Sequence, residues 1–478
     1  MGSNNMKKKM AERPKVLIYT SPSKKSYVRL GRCGGSTKGG EKWPPIKLMY
    51  LAGTSRQVAQ TQFIDADAEE MDEKTFLRKV ADFAPDFLML EPTPPSLKNE
   101  LRVVKRIKII NPEVKTVFTG AFASAEPELL LEKFSEIDII IVGEAEITLK
   151  ELLSSGTAEN VKGTWYRKDG KPTFTGNRMF LENLDDLPFP AHDMAPLQRY
   201  TSPLIKNHPF TIMESSRGCP FSCTYCNSEL MNGKRIRFRS PKSLIEEMKL
   251  LKKLGVKEIK FNDETFAVDK KRLSDIFRLM RLNNLKFSWK CNSRVDVLGE
   301  KTLKLMKDNG CHVIFFGIES GNEEILRYYK KGIKKETAVR TFRAARKIGI
   351  TTVAHFILGA PMESRKTVKE SVDFAIKLDA DYVAFNLLTP YPGTELYHDL
   401  KKRGLIQTTD WEVFDQSKKS GLKSYHLTTK QLEEEMKKAY KRYYFRPGYV
   451  LKRVAKLRNP SDLKKNINGL KKLIGLTS

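Results

Sequence analysis

The sequence predicts an α/β chain built from two largely parallel sheets and a basic helical end. Three observations carry this. Four short apolar runs alternate with amphipathic stretches over the first 150 residues. A second alternation, of six runs, begins at Pro209. After about residue 405 the pattern turns helical and basic. Short apolar strands separated by helices mark parallel sheets covered on both faces.

The first four runs are Val16–Tyr19, Phe87–Leu90, Val114–Phe118 and Asp138–Val142. Each ends in Ser, Thr, Pro or Gly, where a doubly wound sheet places its ligand. Glu73–Phe83 and Leu97–Ile110 have helical periodicity between them. The expected boundaries are 1–153 for this unit and 154–207 for a connector rich in Gly, Pro and charge, wrapping between domains. The six later runs are Phe210–Glu214, Glu258–Asn262, Phe287–Cys291, Val313–Ile318, Thr352–Leu358 and Tyr382–Leu387. Six βα units over 208–404 predict a partial, six-stranded β/α barrel with chemistry on the loops after the strands. Residues 405–478 are the helical basic region.

Composition narrows the function. The 478 residues are 40% apolar and 30% charged, as in a soluble globular protein. Six cysteines exclude a disulfide scaffold. No apolar run reaches the ~18 residues of a membrane span, and the basic start lacks the apolar stretch of a secretory signal. The expected location is the reducing cytoplasm. The net charge of +29 predicts an anionic partner. About +12 of it lies in residues 437–478, with 13 Lys or Arg against Asp462.

The sharpest motif follows the first barrel strand. Cys219, Cys223 and Cys226 form Cys-x3-Cys-x2-Cys. Three thiolates on one tight loop suit an iron–sulfur cluster. Structural zinc needs a fourth ligand, and no further Cys or His lies within ten residues. Three ligands leave one iron of a 4Fe-4S cluster open to a substrate.

This triplet, with Tyr225 before its last Cys, resembles the signature of radical S-adenosylmethionine (SAM) enzymes. Further motifs agree in order. Asp263 and Glu264, in Asn262–Phe266, resemble the acidic segment that holds the SAM amino group. Arg294 resembles the basic residue after the third strand. Glu319 and Ser320, in Gly317–Gly321, resemble the ribose-binding segment. Gly359 and Pro361, in His355–Glu363, resemble the segment along the adenine, although Met362 replaces the usual Gly before Glu363. Cys291 and Cys311 read as core residues, and Cys33 stays unassigned.

A doubly wound sheet before such a barrel resembles the cobalamin-binding arrangement of one radical SAM branch. Lys42–Ile46, Thr119–Phe122 and Asp138–Glu146 are the matching pieces, and the combined likeness spans residues 14 to 400. It implies cobalamin contacts from Ser21, Thr93, Thr119, Gly120, Gly143, Glu144 and Glu146. The first 191 residues contain no His, so no histidine of this sheet can ligate cobalt. Phe122 stands where many relatives have His.

The resemblance implies a 4Fe-4S cluster, SAM and cobalamin, and methyl transfer to an unactivated carbon or C–C bond formation; cyclisation is the alternative. Electrons would come from a flavodoxin- or ferredoxin-type donor. An RNA-modifying methylthiotransferase would carry a second cysteine triplet, and only Cys33 precedes residue 218, so nucleic acid is not the expected partner. An electron carrier would close its cluster with four ligands. The tail adds Tyr440, Tyr443, Tyr444, Phe445 and Tyr449 to its basic residues, and Arg446-Pro447 resembles the ends of relatives acting on lipids. The expectation is a lipid-like or other small hydrophobic substrate, met at the inner face of an anionic membrane. Oligomeric state is left open.

Overall fold

The computed structural model describes residues 13–30, 34–37, 40–406, 408, 410–415 and 422–455. Cys33 and residues 456–478 of the basic tail lie outside them.

The first sheet contains β1 (Lys15–Thr20), β2 (Gln60–Asp65), β3 (Phe87–Leu90), β4 (Lys115–Phe118) and β5 (Ile139–Ile141). They run parallel in the order β2-β1-β3-β4-β5. Both faces are covered. Leu17, Tyr19, Leu88 and Leu90 pack on one side, and Val16, Ile18, Phe87 and Met89 on the other. That double burial makes the runs continuously apolar. The strand order reverses between β1 and β3, where a doubly wound sheet opens its ligand crevice.

Two features depart from the expected organisation. β2 was not expected, because its first residues are Gln-Thr-Gln on the sheet's edge and only Phe63 and Ile64 are apolar. The span 154–207 is more than a connector. β6 (Thr164–Lys168) and β7 (Lys171–Phe174) form a hairpin that extends the sheet antiparallel beyond β5. Trp165 stacks on Phe174 across it at 5.0 Å, a cross-strand pair that favours a hairpin.

The second sheet contains β8 (Phe210–Met213), β9 (Glu258–Phe261), β10 (Ser288–Ser293), β11 (Cys311–Glu319), β12 (Thr351–Leu358) and β13 (Tyr382–Leu387), all parallel and in sequence order. This is the expected partial barrel. Phe261, Trp289, Phe316 and Phe356 face the helical layer with Cys291 and Cys311, which are buried core residues.

The open edge at β13 is capped by the helix Thr429–Tyr444. The Tyr440 hydroxyl accepts from Phe385 N–H at 3.0 Å and donates to Phe385 O at 2.9 Å. The Tyr444 hydroxyl does the same for Val383, at 2.8 and 2.7 Å. Two phenols thus substitute for a neighbouring strand. Tyr443 and Tyr449 donate to Ala380 O and Asp381 O. Four tail aromatics expected at a membrane interface are therefore edge caps.

The region from 405 is not helical throughout. Residues 410–415 cross back to the first sheet, where Trp411 packs edge-on against Phe122 at 5.0 Å and Lys98 pairs with Asp410 at 3.1 Å. Among the described residues, no helix is long and apolar enough to cross a membrane.

Candidate active site between the two sheets

β8 ends at Met213, and the chain turns through Ser215–Gly218 into the cysteine loop. Gly218 (φ 99°) is required there, because a Cβ would lie 2.1 Å from Arg235 O. Cys219 N–H donates to Gly233 O at 3.1 Å, and Cys226 N–H to Cys223 O at 3.1 Å. The three cysteines are partly exposed. Among the described residues, no three Cys, His, Asp or Glu converge on one point as ligands of a single ion. A four-iron cluster places its thiolates on different irons, so it does not need such convergence.

Around the loop the structure gathers three of the expected SAM residues, Tyr225, Arg294 and Glu319. Glu319 ends β11 in the left-handed region (φ 71°), beside a register shift between β11 and β12. Such strain in a non-glycine residue costs about 1–3 kcal/mol and concentrates at functional sites. Glu319 is buried, and Lys331 Nζ donates to its Oε1 at 2.9 Å. The same ammonium lies 3.4 Å from the Tyr225 hydroxyl. Burial opposes the charge on Lys331, yet Glu319 and Cys223 hold its pKa above the ordinary value. Arg294 lies flat on Phe221 of the cysteine loop at 3.6 Å, forks onto Asp296 at 2.9 and 2.7 Å, and donates to Lys331 O.

The other expected SAM residues make hydrogen bonds within the protein. Asp263 is buried, accepting from Ser215 N–H (2.8 Å), the Ser215 hydroxyl (2.5 Å) and the Ser216 hydroxyl (2.7 Å). It pins the turn that leads into the cysteine loop. Glu264 accepts from Asn232 at 2.6 Å. The Ser320 hydroxyl lies 3.2 Å from that of Ser371 and accepts from Asn322 N–H. Glu363 has a definite place: it accepts from Gly359 N–H at 3.1 Å and from the Thr367 hydroxyl. Burial raises its pKa to about 7 against these hydrogen bonds. The Pro361 carbonyl accepts from Tyr425 N–H and Ser424.

Across the boundary, the ends of β1, β3 and β4 face this site. A cleft runs between the sheets, lined by Glu91, Thr93 and Phe122 from the first sheet and Asn227 and Tyr391 from the barrel. Gly120 (φ 92°) leaves room for Glu91, whose Cγ would lie 2.6 Å from a Cβ at that position. Thr119 N–H donates to Leu90 O, Thr93 N–H to Ser96 Oγ, and the Ser21 hydroxyl to Glu100. Gly143 N–H donates to Ser124 at 3.0 Å.

Glu144 and Glu146, expected to contact cobalamin, carry ion pairs across the boundary. Arg217 donates to Glu146 at 2.6 Å, Glu144 at 3.2 Å and Glu214 at 3.1 Å. Arg237 donates to Glu144 at 2.8 Å, and Lys47 pairs with Glu214 at 3.0 Å. Burial penalises Glu214, but Lys47 and Arg217 bring its pKa down to about 2. These buried ion pairs lock the first sheet to the strand that carries the cluster loop.

Two family models match, the radical SAM superfamily over residues 213–375 and the B12 binding domain over 35–153. An uncharacterised methyltransferase of Pyrococcus horikoshii is 34% identical over 443 residues, covering 92% of this chain and 94% of its own. The chain belongs to the cobalamin-dependent radical SAM enzymes. A hopanoid C-3 methylase of Methylococcus capsulatus is 25% identical over 414 residues, with 84% and 74% covered. The cobalamin-dependent SAM radical enzyme OxsB, solved with aqua-cobalamin and SAM, shares the fold at TM-score 0.72 and 17% identity, over 98% of this chain and 72% of its own.

The residues present fit the family's cofactors. Cys219, Cys223 and Cys226 would supply the thiolate set of the cluster. For cobalamin, the cleft offers two buried acceptors with no protein partner among the described residues, Glu91 Oε2 and Asn227 Oδ1. Neither was singled out from the sequence, nor were Lys331 and Arg217. Glu91 had a positional signal, at the carboxyl end of a central strand; the others had none.

Proposed function

We propose that the enzyme methylates an unactivated carbon of a hydrophobic, lipid-like substrate. The observation that carries this reading is the shared cleft: Asn227, directly after Cys226, lines the same space as Glu91 and Thr93. Cofactors held by the barrel and by the first sheet would open to one volume.

In the family's chemistry the cluster supplies the electron that splits SAM to a carbon radical, and cobalamin supplies the methyl group. This chain's residues position those events. Cys219, Cys223 and Cys226 would hold the cluster. Glu319, strained and buried, is placed for a SAM hydroxyl or ammonium, with Lys331 as its partner until SAM arrives. Asp263 fixes the turn before the cysteines. Tyr225 closes one side, its ring 5.3 Å from that of Tyr329. Phe445, Val450, Leu451 and Val454 favour a hydrophobic partner, since all are exposed at the barrel's end.

The test is anaerobic turnover with SAM, a reductant, cobalamin and candidate lipids, read by mass spectrometry. Methylated product with matched S-adenosylhomocysteine and 5′-deoxyadenosine is expected. 5′-Deoxyadenosine with a ring-closed, unmethylated product would replace methyl transfer by cyclisation.

A further inference from the structure

We infer that Glu91 and Asn227 form a two-walled hydrogen-bond clamp for cobalamin, tying it to both the first sheet and the cluster loop. The inference rests on the chain's membership of the cobalamin-dependent family. Glu91 follows β3 at the switch point and is 4% exposed; Asn227 directly follows the last cluster cysteine and is 3% exposed. Both line the interdomain cleft, and Glu91 Oε2 and Asn227 Oδ1 have no hydrogen-bond partner among the described residues. Buried acceptors in native proteins are nearly always satisfied, because an unmade bond leaves their desolvation uncompensated. A corrin ring carries peripheral amide side chains rich in N–H donors. Two orphaned acceptors on opposite walls of one cleft suit that chemistry, and neither wall offers the His that would point to a ligand on cobalt.

The surroundings of Glu91 give the clamp a pH signature. Arg29 Nε donates to the Glu91 carbonyl at 3.2 Å while its Nη2 is held by Glu100 at 2.7 Å. Lys47 and Glu214 also act on the carboxyl. Burial outweighs Arg29 and Lys47 and raises the Glu91 pKa to about 7. Amide donors favour the ionised carboxylate. Cobalamin affinity therefore rises as pH rises through about 7.

The test titrates the full-length, cluster-reconstituted enzyme with hydroxocobalamin, followed by absorbance, with iron content as the control for an intact cluster loop. Glu91→Ala and Asn227→Ala should each weaken binding about tenfold to a hundredfold. Glu91→Gln keeps an acceptor but cannot titrate, so it should bind with a flat pH profile. Should the alanine variants lose iron, the Glu91→Gln profile decides. Wild-type affinity in both alanine variants, or an unaltered pH dependence in Glu91→Gln, overturns the clamp. Failure of the wild-type enzyme to bind cobalamin would instead overturn the cofactor assignment beneath it.

Discussion

Cys219, Cys223 and Cys226 sit on one short loop, and in the proposed site each would hold one iron. Changing any of them to Ala should abolish the cluster's ~400 nm absorbance and SAM cleavage together. A variant retaining both would remove the cluster assignment. Glu319 and Asp263 separate two effects that sequence spacing would merge. Glu319 faces Lys331 and Tyr225, so Glu319→Gln should weaken SAM binding about ten- to a hundredfold with iron content unchanged. Asp263 is saturated by Ser215 and Ser216, so Asp263→Ala should lower iron content as well. Equilibrium binding and iron assays on both variants check the distinction. Glu363 carries a pH effect. Burial raises its folded pKa to about 7 from 4.5, so the unfolded chain ionises first. Its contribution makes stability fall as pH rises between those values and level off above, by roughly 3 kcal/mol in all. Glu363→Gln should flatten that part of the melting-temperature profile; an identical profile in the variant would refute it.

At the scale of elements, the exposed edge of β13 is managed by phenols rather than by a strand, and edges left bare invite pairing with other chains. Removing the Tyr440 and Tyr444 hydroxyls in a double Tyr→Phe variant leaves two N–H and two C=O groups of β13 without these partners. Each lost bond costs about 1 kcal/mol, so the variant should melt a few degrees lower and aggregate faster; unchanged melting and light scattering would argue that water replaces the caps. These tyrosines show where sequence reading stops. Their hydrophobic spacing announces a helix, and Thr429–Tyr444 forms one, but nothing local says that a ring meets a strand sixty residues earlier. The strands were legible for the opposite reason. β3 and β5 are continuous runs bounded by turn residues, and burial on both faces writes itself into composition. β2 was hidden because an edge strand needs only half that signal. The cysteine loop was legible because three ligands share eight residues. The partners of Glu319, Glu144 and Glu146 were not, since Lys331 and Arg217 reach them through the fold.

At the scale of the whole molecule, the +29 charge is unevenly placed. Where the sheets meet, buried pairs such as Arg217 with Glu146 and Arg29 with Glu100 are balanced and add nothing to it. The last described helix, Pro447–Val454, differs. Leu451 is 70% exposed and Val454 59%, beside Lys452 and Arg453, and six further Lys or Arg follow before the end. An apolar face flanked by cations suits an anionic bilayer surface, where each Lys or Arg adds about 1 kcal/mol. Tyr440, Tyr443, Tyr444 and Tyr449 contribute nothing to this, being spent on the barrel edge. A truncation before Tyr440 would therefore uncap the barrel and confuse the result. The informative variants end after Ala455, or carry Leu451→Ser with Val454→Ser, and both leave the caps intact. Co-sedimentation should show the full-length enzyme on anionic but not neutral liposomes, released by salt, with each variant bound several-fold more weakly. Equal binding by all three proteins would detach this end from the membrane and leave a lipid-like substrate to be judged by turnover alone.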